Sequence, residues 1–277
     1  QAMPNAQTVI PLGGNHMTSH QTHRRAAARV LAALALALAL AGTALAQSYT
    51  TAKEVVDAME AKPAPSTTVA TMSMTVTAAS GHSLTRTMQI WSADDGRSQL
   101  IKFLEPADVR GSGFLSVEKA SGETETMIYL PALGRVRRVA GGQKQDAFFG
   151  SDFSYEEISS LSGDFGDDFE TTLLETLPGP VYVLEGVAKP GSDGSYDRIV
   201  FQVPEATLLP QRVEFYRAGQ LVKVLTIGGT SAVGGYDLPS VIRMETVATG
   251  SYTTIDQSDF KVDEAIPADV FTERFLQ

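Results

Sequence analysis

From Thr68 onward, apolar and polar side chains trade places residue by residue, in one short segment after another. Between Thr68 and Ala78, one set holds Ala70, Met72, Met74, Val76 and Ala78. The other holds Val69, Thr71, Ser73, Thr75 and Thr77. A period of two belongs to a half-buried strand, because successive side chains of extended backbone point to opposite faces. The turn Ala79-Ser80-Gly81-His82 returns the chain along Ser83–Trp91, with Leu84, Met88 and Ile90 on one face. Asp94-Asp95-Gly96 is a tight-turn signal, and Arg97–Leu104 is the third strand. Further strands are expected at Gly113–Lys119, Thr124–Leu130, Phe169–Thr176, Val181–Val187, Tyr196–Val203, Pro210–Tyr216, Leu221–Ile227, Ser240–Val247 and Tyr252–Phe260. Gly, Pro, Asn or Asp separates most of them.

Helical spacing is confined to a few places. Over Ser48–Met59, Tyr49, Ala52, Val55, Val56 and Met59 recur on one face, Thr50 or Thr51 can cap the start, and Pro63 with Pro65 ends the run. A helix apolar on one side must lie on something, and the mouth or face of the sheet is what the chain offers. Ser154-Tyr155-Glu156-Glu157 has capping-box form ahead of Ile158 and Leu161. Pro267–Phe271 is a second short helix, with Val270 and Phe271 expected at the rim. The expected fold is mainly β with few helices: a strongly curved antiparallel sheet, closed or nearly so, in one domain spanning 47–277.

Residues 17–46 read as a cleaved signal peptide and are set apart from the fold. Met17 opens a polar and basic stretch with Arg24, Arg25 and Arg29. An Ala/Leu run from Val30 to Ala41 follows, and Ala44 with Ala46 fits small-residue cleavage after Ala46. The apolar run is shorter than the roughly 20 residues of a spanning helix, so an integral membrane protein is not expected. Residues 1–16 do not begin with methionine and read as non-native upstream translation. Removing the leader takes three arginines and no carboxylate, leaving 19 basic against 32 acidic side chains, a net charge of −13. So acidic a chain is a poor partner for nucleic acid or an anionic membrane surface.

The catalytic inventory is thin. Cysteine is absent, which excludes disulfides, thiol catalysis, cysteine-bound metals and a lipid-modified N-terminal cysteine. His16, His20 and His23 precede Gln47, leaving His82 alone in a turn, too little for a nucleophile–histidine pair or a zinc site. Asp164, Asp167, Asp168 and Glu170 in SGDFGDDFE could supply oxygens to calcium, but their spacing is not that of an EF-hand. A metal-dependent hydrolase is therefore the third-ranked reading, and no cofactor or metal is expected.

The positive signals are apolar surface and one basic loop. Met72, Met74, Met88 and Met127 all fall in strands, and methionine is an adaptable lining for irregular ligands. The stretch Tyr129–Ile158 places Arg135, Arg137 and Arg138 ahead of Gly141-Gly142 and of Phe148, Phe149, Phe153 and Tyr155. Arginines beside aromatics suit a ligand apolar at one end and anionic at the other.

Three ordered blocks carry a family resemblance: FLEPADVRGSGFLSVEK (Phe103–Lys119), MIYLPALGRVRRVAGG (Met127–Gly142) and FFGSDFSYEEI (Phe148–Ile158). They are similar to the outer-membrane lipoprotein-sorting group of the LolA/LolB-like superfamily, in the branch often encoded beside RND-type exporters. The resemblance implies an unclosed β-barrel of about eleven strands, with a helical lid over an apolar cavity for acyl chains. It also implies a periplasmic carrier or chaperone with no enzymatic activity, sheltering lipid or lipoprotein acyl chains for transfer toward the outer membrane. The alternative is a non-enzymatic accessory that docks on an exporter. An inner-membrane exporter or an outer-membrane receptor would be the protein partner. Candidate cavity wall or mouth residues are Met72, Met74, Met88, Ile90, Met127, Phe148, Phe149 and Phe153. Candidates for headgroup or partner docking are Arg110, Arg135, Arg137, Arg138, Asp152 and Tyr155.

Overall fold

The computed structural model describes residues 48–161, 168–192 and 194–277. The expected leader and the acidic loop positions Asp164 and Asp167 lie outside them. Among the described residues, thirteen antiparallel strands form one sheet. The first six are β1 (Thr67–Thr77), β2 (Ser83–Ala93), β3 (Ser98–Glu105), β4 (Gly113–Glu118), β5 (Thr124–Leu130) and β6 (Arg135–Val139). The remainder are β7 (Phe169–Leu177), β8 (Val181–Ala188), β9 (Arg198–Pro204), β10 (Arg212–Arg217), β11 (Gln220–Val233), β12 (Tyr236–Thr246) and β13 (Ser251–Val262). The order β6-β5-β4-β3-β2-β1-β13-β12-β11-β10-β9-β8-β7 is a double meander joined where β1 pairs with β13. Its two edges, β6 and β7, do not pair with each other, so the barrel is unclosed.

Curvature follows from geometry. Neighbouring strands lie ~4.8 Å apart, so a flat sheet would separate β3 from β9, seven places away in the order, by about 34 Å. Ile101 of β3 and Phe201 of β9 nevertheless line one cavity. The sheet curls because its concave face is the apolar one. Ala70, Met72 and Met74 on β1, Met88 and Ile90 on β2 and Ile101 and Phe103 on β3 are all buried in one core.

Among the described residues three α-helices accompany the sheet: α1 (Ala52–Glu60), α2 (Tyr155–Ser160) and α3 (Glu273–Leu276). Helix α1 starts four residues later than the apolar spacing implied, because Thr51 and Glu54 form a reciprocal capping box there. Ala52 and Val55 are buried, and the helix touches β7, so it lies across the concave side. Helix α2 begins with the anticipated box of Ser154 and Glu157.

Three expectations need correction. Strand β6 was not among the expected strands, since three arginines in a five-residue segment read as loop. Strands β11 and β12 run beyond their expected bounds, because Gly228 and Gly229 continue the strand and the turn falls at Gly234-Gly235, both at positive φ. The C-terminal segment does not sit at a rim. Its 3₁₀ turn Ala268–Phe271 and α3 lie on the convex face of β3–β5, where Val270 and Leu276 form a second buried cluster with Leu100 and Leu115.

Two details fix that second cluster. A Cβ on Gly113 would stand 2.7 Å from Leu276 Cδ1, so glycine permits the close approach. The ammonium of Lys102 donates to the Leu276 carbonyl at 2.7 Å, and Trp91 meets Phe275 edge-on at 6.1 Å. Truncating a buried leucine costs ~2–5 kcal/mol. Leu276→Ala is therefore expected to lower stability in urea by about 2–4 kcal/mol and to shift the emission of Trp91, the only tryptophan, to the red. An unchanged midpoint and spectrum would refute the clamp.

Candidate functional site

Alternation gives the concave face its lining. Met72 of β1, Ile90 of β2, Ile101 of β3, Phe201 of β9, Leu225 of β11 and Ile242 of β12 all point to one space. Helix α1 lays Val56 and Met59 over it, and Ile158 and Leu161 approach from α2 and the residue that follows it. The cavity holds about 460 Å³, within the ~300–1,000 Å³ of ligand clefts. Its charged lining consists of Glu60, Lys62, Asp95 and Asp237. Lys62 is engaged: it lies 3.8 Å from Asp237 and also donates to the Thr207 carbonyl. The mouth is therefore acidic on balance.

Tethers hold the lid at both ends. The phenol of Tyr182 accepts the Tyr49 N–H at 3.0 Å and donates to Glu205, and the two rings pack edge-on at 5.6 Å. Lys62 holds the other end through the contacts already described. None of these anchors is marked in the sequence by spacing, since Tyr182 lies 133 positions from Tyr49.

Toward β4 and β5 the concave face is filled. Phe148 and Phe153 are fully buried. Phe148 stands 5.4 Å from Phe114, Phe149 stands 4.3 Å from Phe103, and Tyr155 stacks on Phe114 at 6.1 Å. Burial pushes the Tyr155 phenol above its ordinary pKa. Phe149 adopts φ of +47°, a left-handed conformation that costs a β-carbon residue ~1–2 kcal/mol. Its carbonyl accepts from Arg86 Nη1 at 2.8 Å. Arg86 faces inward between Leu84 and Met88, and a cation at an apolar position of the alternation is the one signal that could have found it.

Asp152 locks this aromatic plug to the far side of the sheet. Its carboxylate accepts from Thr246 Oγ1 at 2.7 Å, Ser251 Oγ at 2.5 Å and Thr253 Oγ1 at 2.7 Å, and its N–H donates to Thr253 Oγ1 at 2.9 Å. Helix α2 is fixed in a similar way. Glu157 accepts from Lys223 Nζ at 2.8 Å and from the Tyr196 hydroxyl, whose pKa burial and the Glu157 charge hold well above its usual value.

The sequence candidates thus divide. Met72 and Ile90 line the cavity. Met74, Met88, Phe148, Phe149 and Phe153 belong to the packed core beside it. Met127 lies on the other side of the sheet, against the C-terminal cluster. The arginines do not converge either. In β6, Arg137 shares the register of inward-facing Ile128, whereas Arg138 sits opposite Met127 and pairs with Glu125. Arg110 donates to the Leu104 carbonyl at 2.9 Å. Among the described residues, no arginine lines the cavity. Among the described residues, no group of three or more His, Asp or Glu gathers as a metal site.

Asp152→Ala is expected to destabilise the protein by about 3 kcal/mol, because it leaves the buried Thr253 hydroxyl without its charged acceptor. Asp152→Asn, which keeps an acceptor oxygen, should lose less. Thermal denaturation of the two variants checks the order, and equal losses would contradict it.

Comparison with known proteins places this architecture. A family model described only as an uncharacterized protein matches residues 95–277, well over half of the chain. None of the curated proteins matches. A crystal structure of a DUF1329 family protein from Desulfovibrio piger aligns with a TM-score of 0.73 at 29% identity, covering 81% of this chain and 97% of that one. An outer membrane lipoprotein-sorting protein domain from Vibrio parahaemolyticus aligns at 0.72 and 29%, covering 80% and 97%. A LolA superfamily protein from Nitrosomonas europaea shares the fold at 0.65 and 20% identity, covering 82% and 100%. The match over residues 95–277 shows that the chain belongs to that family of uncharacterized proteins, and its unclosed antiparallel sheet with a helix across the concave side is similar to the DUF1329 and lipoprotein-sorting structures and has the fold of the LolA superfamily protein.

Proposed function

We propose that this protein is a non-enzymatic periplasmic carrier that shelters an acyl chain of a lipid or lipoprotein for transfer toward the outer membrane. The observation that carries the reading is the apolar cavity of about 460 Å³ beneath α1, left open beside a densely packed aromatic plug. Burying hydrocarbon yields ~0.8 kcal/mol per methylene, so a smooth apolar wall is sufficient for binding and needs no reactive group. The leader at 17–46, cleaved after Ala46, would deliver the chain to the periplasm. The lipoprotein-sorting relative from Vibrio parahaemolyticus supports the cargo class.

Exchange of cargo would proceed by movement of α1. That helix buries only Ala52 and Val55 fully, and its tethers are hydrogen bonds, one edge-on ring contact and a half-exposed ion pair. A polar-tethered lid opens at lower cost than one sealed by a large apolar contact.

The test is lipid extraction and native mass spectrometry of the full chain purified from the periplasm of a Gram-negative host. Wild-type protein should release acyl species in near-stoichiometric amount. Ile227→Trp, which fills the lining from β11, should release at least tenfold less while its melting temperature stays within a few degrees. Recovery of no acyl species from folded wild-type protein would overturn the proposal.

A further inference from the structure

Strand β6 ends the sheet, and its far side is open. It pairs only with β5, and among the described residues no backbone hydrogen bond outside the ladder involves 135–139. A five-residue edge therefore presents unpaired N–H and C=O groups, which in folded proteins are either covered or made unattractive to other strands. Here Arg135, Arg137 and Arg138 are exposed, in a chain of net charge −10. Arg138 is committed to Glu125. Arg135 and Arg137 make no ion pair among the described residues, and they stand two apart on one face of the strand.

We propose that β6 is a strand-addition site for an extended segment of another protein that carries carboxylates at alternate positions. A strand laid antiparallel on β6 would place its own side chains opposite Arg135 and Arg137 on one face, so carboxylates at i and i+2 meet both guanidiniums. Backbone hydrogen bonds to the open edge supply affinity, and the arginine pair supplies selection. The opposite edge makes the selection directional. Strand β7 exposes Glu170 and Glu175, so an acidic segment is repelled there and attracted to β6. This site is separate from the cavity, which no arginine among the described residues lines.

A second copy of this chain is the competing occupant, because its β7 edge carries those same glutamates. Net charge of this size opposes self-association between whole molecules, which favours a foreign segment.

The probe is a fluorescent nonapeptide alternating glutamate with valine, compared with its lysine–valine counterpart, on the full chain. Expected results are binding of the glutamate peptide at least tenfold tighter than the lysine peptide, weakened by salt, with slowed amide hydrogen exchange confined to 135–139. Arg135→Glu with Arg137→Glu should abolish the preference, and Glu170→Gln with Glu175→Gln should leave it unchanged. Binding without protection of the β6 amides would overturn strand addition, as would equal affinity for the two peptides. Concentration-dependent dimerisation that protects the same amides without peptide would assign the edge to a second copy and overturn the foreign-segment proposal. Because acyl recovery is measured without peptide, these outcomes are independent of the carrier reading.

Discussion

One constraint governs this molecule: a single sheet must hide one apolar face with little help from helices. Twelve of the thirteen strands carry buried side chains of the main core, while α1 and α2 are short. Curling the sheet is the available solution, since it lets strands far apart in order cover each other. Full closure would require β6 to pair with β7, and it does not occur. Near β4 and β5 the Phe148–Tyr155 segment fills the concave space instead, and away from it the space stays open. The cavity is thus the part of the curl that no segment among the described residues fills.

That division is fixed by polar anchors as well as by apolar fit. The aromatic segment contains a left-handed Phe149, a conformation whose cost its contacts must offset. Arg86 grips it from β2, Asp152 bonds it to hydroxyls on β12 and β13, and Glu157 ties the following helix to β11 through Lys223. Each anchor joins elements distant in sequence, which keeps the filled region fixed while the region under α1 remains accessible.

The strands were legible because the period-two pattern reports a half-buried sheet directly, and the capping box at Ser154 was legible because it is local, whereas at the first helix only a cap at Thr50 or Thr51 was read. Strand β6 was not legible, because an edge strand with one open side has little apolar pattern and its arginines resemble a solvated loop. Met127 was misplaced for a related reason. Alternation separates Met127 from Ile128 but does not say which faces inward, and only the register with Phe114 and Leu115 decides. Asp152 was named only through the family resemblance, as a docking residue, and its partners lie about a hundred positions away. The arginine trio looked like one patch in sequence, and the pleat sends its members to different faces.

The convex cluster under α3 bears on how such a chain can diversify. Leu100, Leu115, Val270 and Leu276 are packed on the side of the sheet that never meets the cavity. Substitutions among the lining residues therefore leave one reservoir of folding energy untouched, and the fold tolerates a wall that is incompletely filled. A lineage built on this plan can retune the shape of its interior by exchanging lining side chains, while the buttress outside keeps the same scaffold standing.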